Sequence, residues 1–389
     1  MGKIKYEHKT WYNKNDIPNA SNRIPVSAAQ LNRIEDGIQE SLLASYSLDP
    51  KNLVVQKITS SCEWVAPKAA KNAFRIMCVG GGGGGGKIFA IETPIYAHVC
   101  GGGGGGGYIE IADVEIEPGS KVNIICGAGG SPSTKGGDTI FGSYLTAKGG
   151  GAGEDAKITD TDIIGGTGGS GNSGGGGGHI YCTSNVNSYS ITTGGGGNGG
   201  KYGGGGGAGG ISGTVANAPK LNIKKGGESE VCGKGGADGE LPTIGGYTES
   251  PIINYFFKME YLKEPYIRGV YGEGSGGKSG NGGNVAKTRY GGVLGGGGGG
   301  FCGDGGIGGQ LTYGGYGGAG GGGGFCGNGG TGGSGGGGGG GYFCNGGSAT
   351  SGATGGGGGG FFSDGQATGT GGNGGVLIMY NRDDTEEEA

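Results

Sequence analysis

The chain has 389 residues, 116 of them glycine, with 11 prolines, 9 cysteines and a formal charge of −4 at pH 7. This composition excludes a nucleic-acid footprint, which needs a basic block, and collagen, which needs abundant proline in a persistent Gly-X-Y register. No apolar run approaches the roughly 18 residues that insert across a bilayer, and the charged start from Met1 to Tyr12 lacks the apolar core of a secretory signal, so synthesis in a cytoplasm is expected.

Residues 1–48 differ in kind from the rest, with glycine only at Gly2 and Gly37. Tyr6 to Ile24 is polar and extended in character, with Trp11, Tyr12, Ile17 and Ile24 as anchors. Ser27 stands three residues before Gln30, a capping-box spacing that predicts a helix over 28–45. Its apolar positions, Leu31, Ile34, Ile38 and Leu42, form a narrow stripe that suits a short coiled-coil seam or docking on a partner. So short a helix is marginal alone, and no adjacent apolar segment is available to cover it. The segment is therefore expected to attach and trimerise the chain through Trp11, Tyr12, Leu31, Ile34, Ile38 and Leu42.

From Leu53 the pattern turns to strands. Val54-Val55, Glu63 to Pro67 and Ala73 to Val79 (AFRIMCV) are rich in β-branched and apolar residues, and the last runs directly into glycine at Gly80. Tyr108 to Glu117 (YIEIADVEIE) alternates apolar and acidic residues, the period of a half-buried strand, and Pro118-Gly119 turns the chain into Lys121 to Cys126. Phe141 to Ala147 and Val376 to Tyr380 read as two further strands. The expected fold is mostly β: an antiparallel β-sandwich combined with a bundle of polyglycine II helices, preceded by the N-terminal α-helix, in a homotrimer. Its units are 1–48 for attachment, 53–240 for the glycine-rich sandwich, 241–290 for an aromatic insertion and 291–389 for glycine-run repeats with a closing strand.

The helical bundle follows from ten runs of three to seven consecutive glycines. The left-handed three-residue helix rises about 3.1 Å per residue, so seven glycines span roughly 22 Å. It has no internal hydrogen bonds, so its N–H and C=O groups must pair sideways with neighbouring helices, which only residues without a Cβ can approach on all sides. Cα–H···O contacts add to such packing. Amyloid-like stacking fits poorly, because varied segments separate the runs.

The last four long runs lead into aromatics: GGGGGGFCGDGG from Gly295, GGGGGFCGNGG from Gly320, GGGGGGGYFCNGG from Gly335 and GGGGGGFFSDG from Gly355. Phe301, Phe325, Phe343 and Phe361 read as an aromatic layer capping the run ends. Asp304, Asn328, Asn345 and Asp364 read as turn residues bonding nearby backbone; a calcium site is the weaker alternative. Cys302, Cys326 and Cys344 read as small buried hydrophobes facing one another, with a disulfide between two of them as the alternative once the protein has left the cell.

Trp64 to Pro67 (WVAP), the apolar strand ending in glycines at Gly80, Ile116 to Gly130 (IEPGSKVNIICGAGG) and Gly136 to Gly153 (GGDTIFGSYLTAKGGGAG) together resemble the glycine-rich domain of bacteriophage tail-fibre and receptor-binding proteins. The likeness covers about 55 to 210, and Gly371 to Tyr380 (GGNGGVLIMY) is similar to that domain's last strand. Independently, Ile24 to Ile38 (IPVSAAQLNRIEDGI) is similar to the N-terminal segment of tail and baseplate proteins of phages infecting Gram-positive bacteria. The chain departs from the pattern by insertions at His179–Thr193, Ile211–Val231 and Leu241–Tyr290. The resemblance implies that loops at one end of the scaffold read a host surface glycan or protein, with Tyr181, Tyr189, Tyr247, Tyr255, Phe256, Tyr261, Tyr266 and Tyr271 as contact candidates. For Tyr255 to Tyr271, core packing stands as an equal alternative, since exposed and buried aromatics look alike in sequence.

No chemistry is expected. Gly272 to Ser279 (GEGSGGKS) satisfies the phosphate-loop pattern, but glycine carries little information here and GNGGNVAK cannot supply the helix that should follow. His8, His98 and His179 adjoin no nucleophile or metal-ligand cluster, and the nine cysteines include no CxxC spacing. The expectation is therefore a virion protein at the tail tip or baseplate without catalytic residues, cofactor or metal. Its partners would be its own copies, tail or baseplate proteins through the N-terminus, and the host surface, with neither nucleic acid nor membrane insertion. A structural tail role without receptor contact is the alternative. A surface-binding protein like the glycine-helix antifreeze proteins ranks last.

Overall fold

The computed structural model describes residues 53–91, 97–182, 188–209, 211–213, 220–222, 224–229, 232–235, 286–287, 293–294, 296–308, 319–333, 335–349 and 354–382. The anchors Trp11 and Tyr12, the predicted helix over 28–45 with Leu31, Ile34, Ile38 and Leu42, the phosphate-loop match and the acidic tail lie outside these residues. Among the described residues all regular secondary structure is β.

In chain order the strands are β1 (Leu53–Ile58), β2 (Cys62–Val65), β3 (Ala70–Val79), β4 (Phe89–Ile91), β5 (Ala97–Val99), β6 (Ile109–Glu115), β7 (Lys121–Ile125), β8 (Thr139–Phe141) and β9 (Leu145–Ala147). Shorter ones follow: β10 (Lys157–Ile158), β11 (Asp162–Ile164), β12 (Ile180–Cys182), β13 (Ser190–Thr192), β14 (Ile211–Gly213), β15 (Lys220–Asn222), β16 (Ala286–Lys287) and β17 (Val293–Leu294). The closing strand is β18 (Gly375–Arg382).

Two antiparallel four-stranded sheets, ordered β1-β18-β3-β6 and β2-β7-β8-β9, share one core. Alternate residues of β3 and β18 (Phe74, Ile76, Cys78; Val376, Ile378, Tyr380) meet Trp64, Val122, Ile124 and Phe141 of the second sheet. Trp64 lies edge-on to Phe74 at 5.6 Å between ring centroids, and its indole N–H donates to Gln56 Oε1 at 2.7 Å, so the ring is buried with its polar group satisfied. The intervening residues Met77, Val79 and Leu377 belong to a second cluster on the other face. Burial on both faces is why AFRIMCV and VLIMY read as continuous apolar runs instead of alternating. On that second face Arg75 is buried opposite Asp113, with Nε–Oδ1 at 2.7 Å and Nη2–Oδ2 at 3.1 Å. Burial pushes the guanidinium below its ordinary range while Asp113 pulls it back up.

One predicted strand divides. Phe141 to Ala147 is the hairpin of β8 and β9, pairing Phe141 with Leu145 around Gly142 at φ 52°. A left-handed residue that only glycine adopts freely turns the chain where the apolar composition suggested continuity. Parallel pairing also enters: β11, β13 and β15 pair in parallel, as do β12 and β14. β11, β13 and β15 each lead into a glycine run, and β12 and β14 each follow one, so strands of successive excursions lie in the same direction.

The runs themselves form the middle of the molecule. In the buried run 101–107, N–H groups of Gly102 and Gly105 donate to Glu154 and Gly151, those of Gly103 and Gly106 to Gly176 and Ser173, and those of Gly104 and Gly107 to Gly356 and Gly359. Its carbonyls accept from three other runs, through Gly83 and Gly86, Gly169 and Asn172, and Gly336 and Gly339. None of these bonds stays inside the run. Run 80–86 repeats the pattern, donating in turn to 102–108, 134–137 and 369–372. Every third residue addresses the same neighbour, so each of these two runs is enclosed by six. A Cβ on Gly104 would overlap the carbonyl oxygen of Gly83 and press on the amide of Gly358, which is the physical reason these positions are glycine.

Candidate functional site

The lattice has two unlike ends. At the first, which we call the near end, it meets the two-layer core: β3 passes into Gly80, and β18 leaves from Gly374. Across β1, β18 and β3 the registers are Ile58↔Val376, Leu53↔Asn381 and Gly375↔Val79. Leu53 and Arg382, where residues 1–52 and the tail join, therefore lie at the edge of the sheet away from the lattice. At the far end sit the sheets β14-β12-β5-β4 and β10-β11-β13-β15, closed by Val99, Ile163, Ile180, Cys182 and Ile191. Strands or runs at this end flank the interruptions 92–96, 183–187, 214–219, 309–318 and 350–353, and run 232–235 heads toward it before 236–285.

Of the receptor-contact candidates, Tyr181 and Tyr189 are described. Tyr181 is only 6% exposed; it lies within the β12 pairing, opposite His98 of β5, so it is a packed residue and the expectation of surface contact is corrected. Tyr189 is half-buried against the far-end cluster. Tyr247, Tyr255, Phe256, Tyr261, Tyr266 and Tyr271 lie outside the described residues.

At the near end, four rungs (a run inward, a turn, a run outward) stack side by side. The first residue after each run, Phe301, Phe325, Tyr342 and Phe361, is buried, and the rings stack at centroid distances of 5.1, 5.1 and 5.6 Å. They pack against Met77, Val79 and Ile109 on the second face of the sheet, with Tyr202 edge-on to Phe325. Burial pushes the phenols of Tyr202 and Tyr342 up to about 12. The expected aromatic layer is present with one correction: Tyr342, not Phe343, occupies the third place. Counting from the last glycine instead of aligning on phenylalanine gives the right register.

The second position of each turn then holds Cys302, Cys326, Phe343 and Phe362. Cys302 and Cys326 are joined by a disulfide, with Cα atoms 4.4 Å apart. Phe343 and Phe362 stack at 5.5 Å, stay 43% and 44% exposed, and Lys57 Nζ lies 3.9 Å above the Phe362 ring. Cys344, one position later, is a buried free thiol donating to Gly360 O at 3.0 Å, and burial pushes it up to about 12. The expectation of three equivalent buried cysteines thus holds for Cys344 alone, because the extra aromatic in the third rung shifts its place.

Asp304, Asn328, Asn345 and Asp364 form a second ladder. The N–H of Asp304 donates to Asn328 Oδ1 at 2.9 Å, that of Asn328 to Asn345 Oδ1 at 2.9 Å, and that of Asn345 to Asp364 Oδ1 at 2.7 Å. The expected local turn bonds are instead bonds between rungs, since neighbouring runs sit at the same height and a short side chain reaches the next backbone. Among the described residues no group of three or more His, Cys, Asp or Glu is placed to hold a metal ion, and no helix is long and apolar enough to cross a membrane.

Compared with protein-family models, curated proteins and solved structures, the chain matches none.

Proposed function

We propose that the chain is a phage virion protein, a tail-fibre or receptor-binding protein that adheres to the host bacterial surface through loops displayed on a rigid glycine scaffold. The observation that carries this reading is polarity: residues 1–52 join at the sheet edge remote from the lattice, while run 232–235 heads to the opposite end before the aromatic insertion. Attachment at one pole and recognition at the other is the arrangement an adhesin requires, and loops on a rigid scaffold are the general site of recognition. On this reading the runs are polyglycine II helices, supported by their period-three sideways bonding. The shared core of the two sheets supports reading them as a β-sandwich, and on the same reading the N-terminal helix assembles a homotrimer whose weak sites act together. Tyrosines of the insertion suit contact because they offer rigid area with a hydrogen-bonding tip.

The test is binding of fluorescently labelled protein to a panel of whole bacteria, beside a variant with Asn254 to Tyr271 replaced by a glycine-serine loop. Strain-selective binding lost in the variant supports the reading. Absence of binding to every plausible host by assembled protein overturns it in favour of a structural tail role. One observation favours that second role: exposed Val55, Phe343 and Phe362 at the near end are the kind of surface a neighbouring chain covers.

A further inference from the structure

The second position of the rung turn is costly to fill. Cys326, Phe343 and Phe362 have φ of 54°, 50° and 48°, a left-handed conformation in which glycine alone is unstrained. A chain with glycine at 116 positions nevertheless places Cys326, Phe343 and Phe362 in it, with Cys302 at the equivalent place of the first rung, so the side chains at this position are used. They are used in pairs: a disulfide between the first two rungs and a ring stack between the last two.

We propose that this position is an inter-rung clamp, and that in the first pair it is a redox lock which closes from two thiols after the rungs have stacked. Cys302 and Cys326 are 24 residues apart in sequence. They meet because Phe301 stacks on Phe325, Gly323 N–H donates to Gly298 O, and Asp304 N–H donates to Asn328 Oδ1. Stacking precedes the bond, since these contacts need no disulfide. A small-molecule disulfide such as oxidised glutathione is the oxidant. The thiolate of one cysteine attacks it and expels one glutathione thiolate; the second cysteine's thiolate then attacks the mixed disulfide and expels the other. Two protein thiols are oxidised, one glutathione disulfide is reduced to two thiols, and the two protons go to solvent or to the leaving thiolates. Both cysteines are only partly buried, so the oxidant has access. Cys344 does not compete, because it is buried one position further on and bonded to Gly360.

The test uses the full chain purified under reducing conditions and then treated with oxidised glutathione. Native alkylation followed by chymotryptic mass mapping should find Cys302 and Cys326 protected while exposed Cys62 is modified. Chymotrypsin is needed because no lysine or arginine falls between Arg289 and Arg382. Adding reductant should lower the melting temperature by roughly 5 °C. The double variant C302S/C326S should melt at the reduced value in either condition. C302F/C326F, which copies the Phe343–Phe362 pair, should melt above the serine variant and ignore reductant. Free alkylation of both cysteines in the oxidised protein, or a melting temperature unmoved by reductant, overturns the lock. A phenylalanine double variant that melts no higher than the serine one overturns the equivalence of the two clamps.

Discussion

In the two-layer core, Trp64, Phe74, Phe141 and Ile378 fill the interior with side chains, and the backbone pairs only with adjacent strands. In run 101–107 there is no side chain, and the backbone itself pairs with six surrounding runs. The first region is held by apolar burial, of order 1.5–3 kcal/mol for each large side chain. The second is held by hydrogen bonds of about 1 kcal/mol net apiece, made in such density that every N–H from Gly102 to Gly107 is paired. The difference predicts opposite tolerances: the core should resist loss of side-chain volume poorly, and the lattice should resist its gain not at all.

The sharpest way to break that comparison is Gly104→Val. Its Cβ alone collides with two neighbouring backbones, which cannot move without unseating their own bonds, so loss of soluble folded protein is expected in an expression and melting assay. Phe141→Ala, in the fully buried core, should cost about 3–5 kcal/mol by denaturant titration yet leave a folded chain. Gly119→Ala sharpens the contrast within glycine itself. Gly119 has φ 82° and open space around it, so only the backbone term applies, about 1–2 kcal/mol.

Smaller still is Asn345→Ala, which removes the acceptor for the Asn328 N–H and should cost about 1 kcal/mol, read as a lower melting temperature without change of fold. Smallest is the acid response of Asp138. The Gly149 N–H is the main cause holding its carboxyl below its ordinary 3.8, helped by Lys135 and Lys148. Because the folded value is depressed, this contribution is fully present above pH 3.8 and fades as pH falls through the lower folded value. Asp138→Asn should lose this small contribution at neutrality, where it is fully present, and should remove the pH dependence below pH 3.8 in acid titration.

The strands were legible where side chains carried the pattern, as in β6 and in β18, whose eight residues include the predicted Val376 to Tyr380. Sideways pairing of the glycine runs was legible for the same reason in negative: nothing but backbone was available to bond. The β8–β9 hairpin was hidden because Gly142 turns the chain inside an apolar stretch. Parallel pairing of β11, β13 and β15 was hidden because it depends on where long excursions return. The ladder through Asn328 and Asn345 joins residues 17 apart, a contact fixed by rung height that local turn reasoning misses. Of the surface candidates, Tyr181 failed because β12 buries both of its faces at the far end, and no three-residue pattern reveals that.

Hydrogen exchange of the amides in run 101–107 tests the central claim most directly. All of Gly102 to Gly107 should exchange as slowly as the amides of β3, because each donates to one of three neighbouring runs inside the lattice. Exchange at the rate of an unstructured glycine chain, while β3 stays protected, would contradict the lattice.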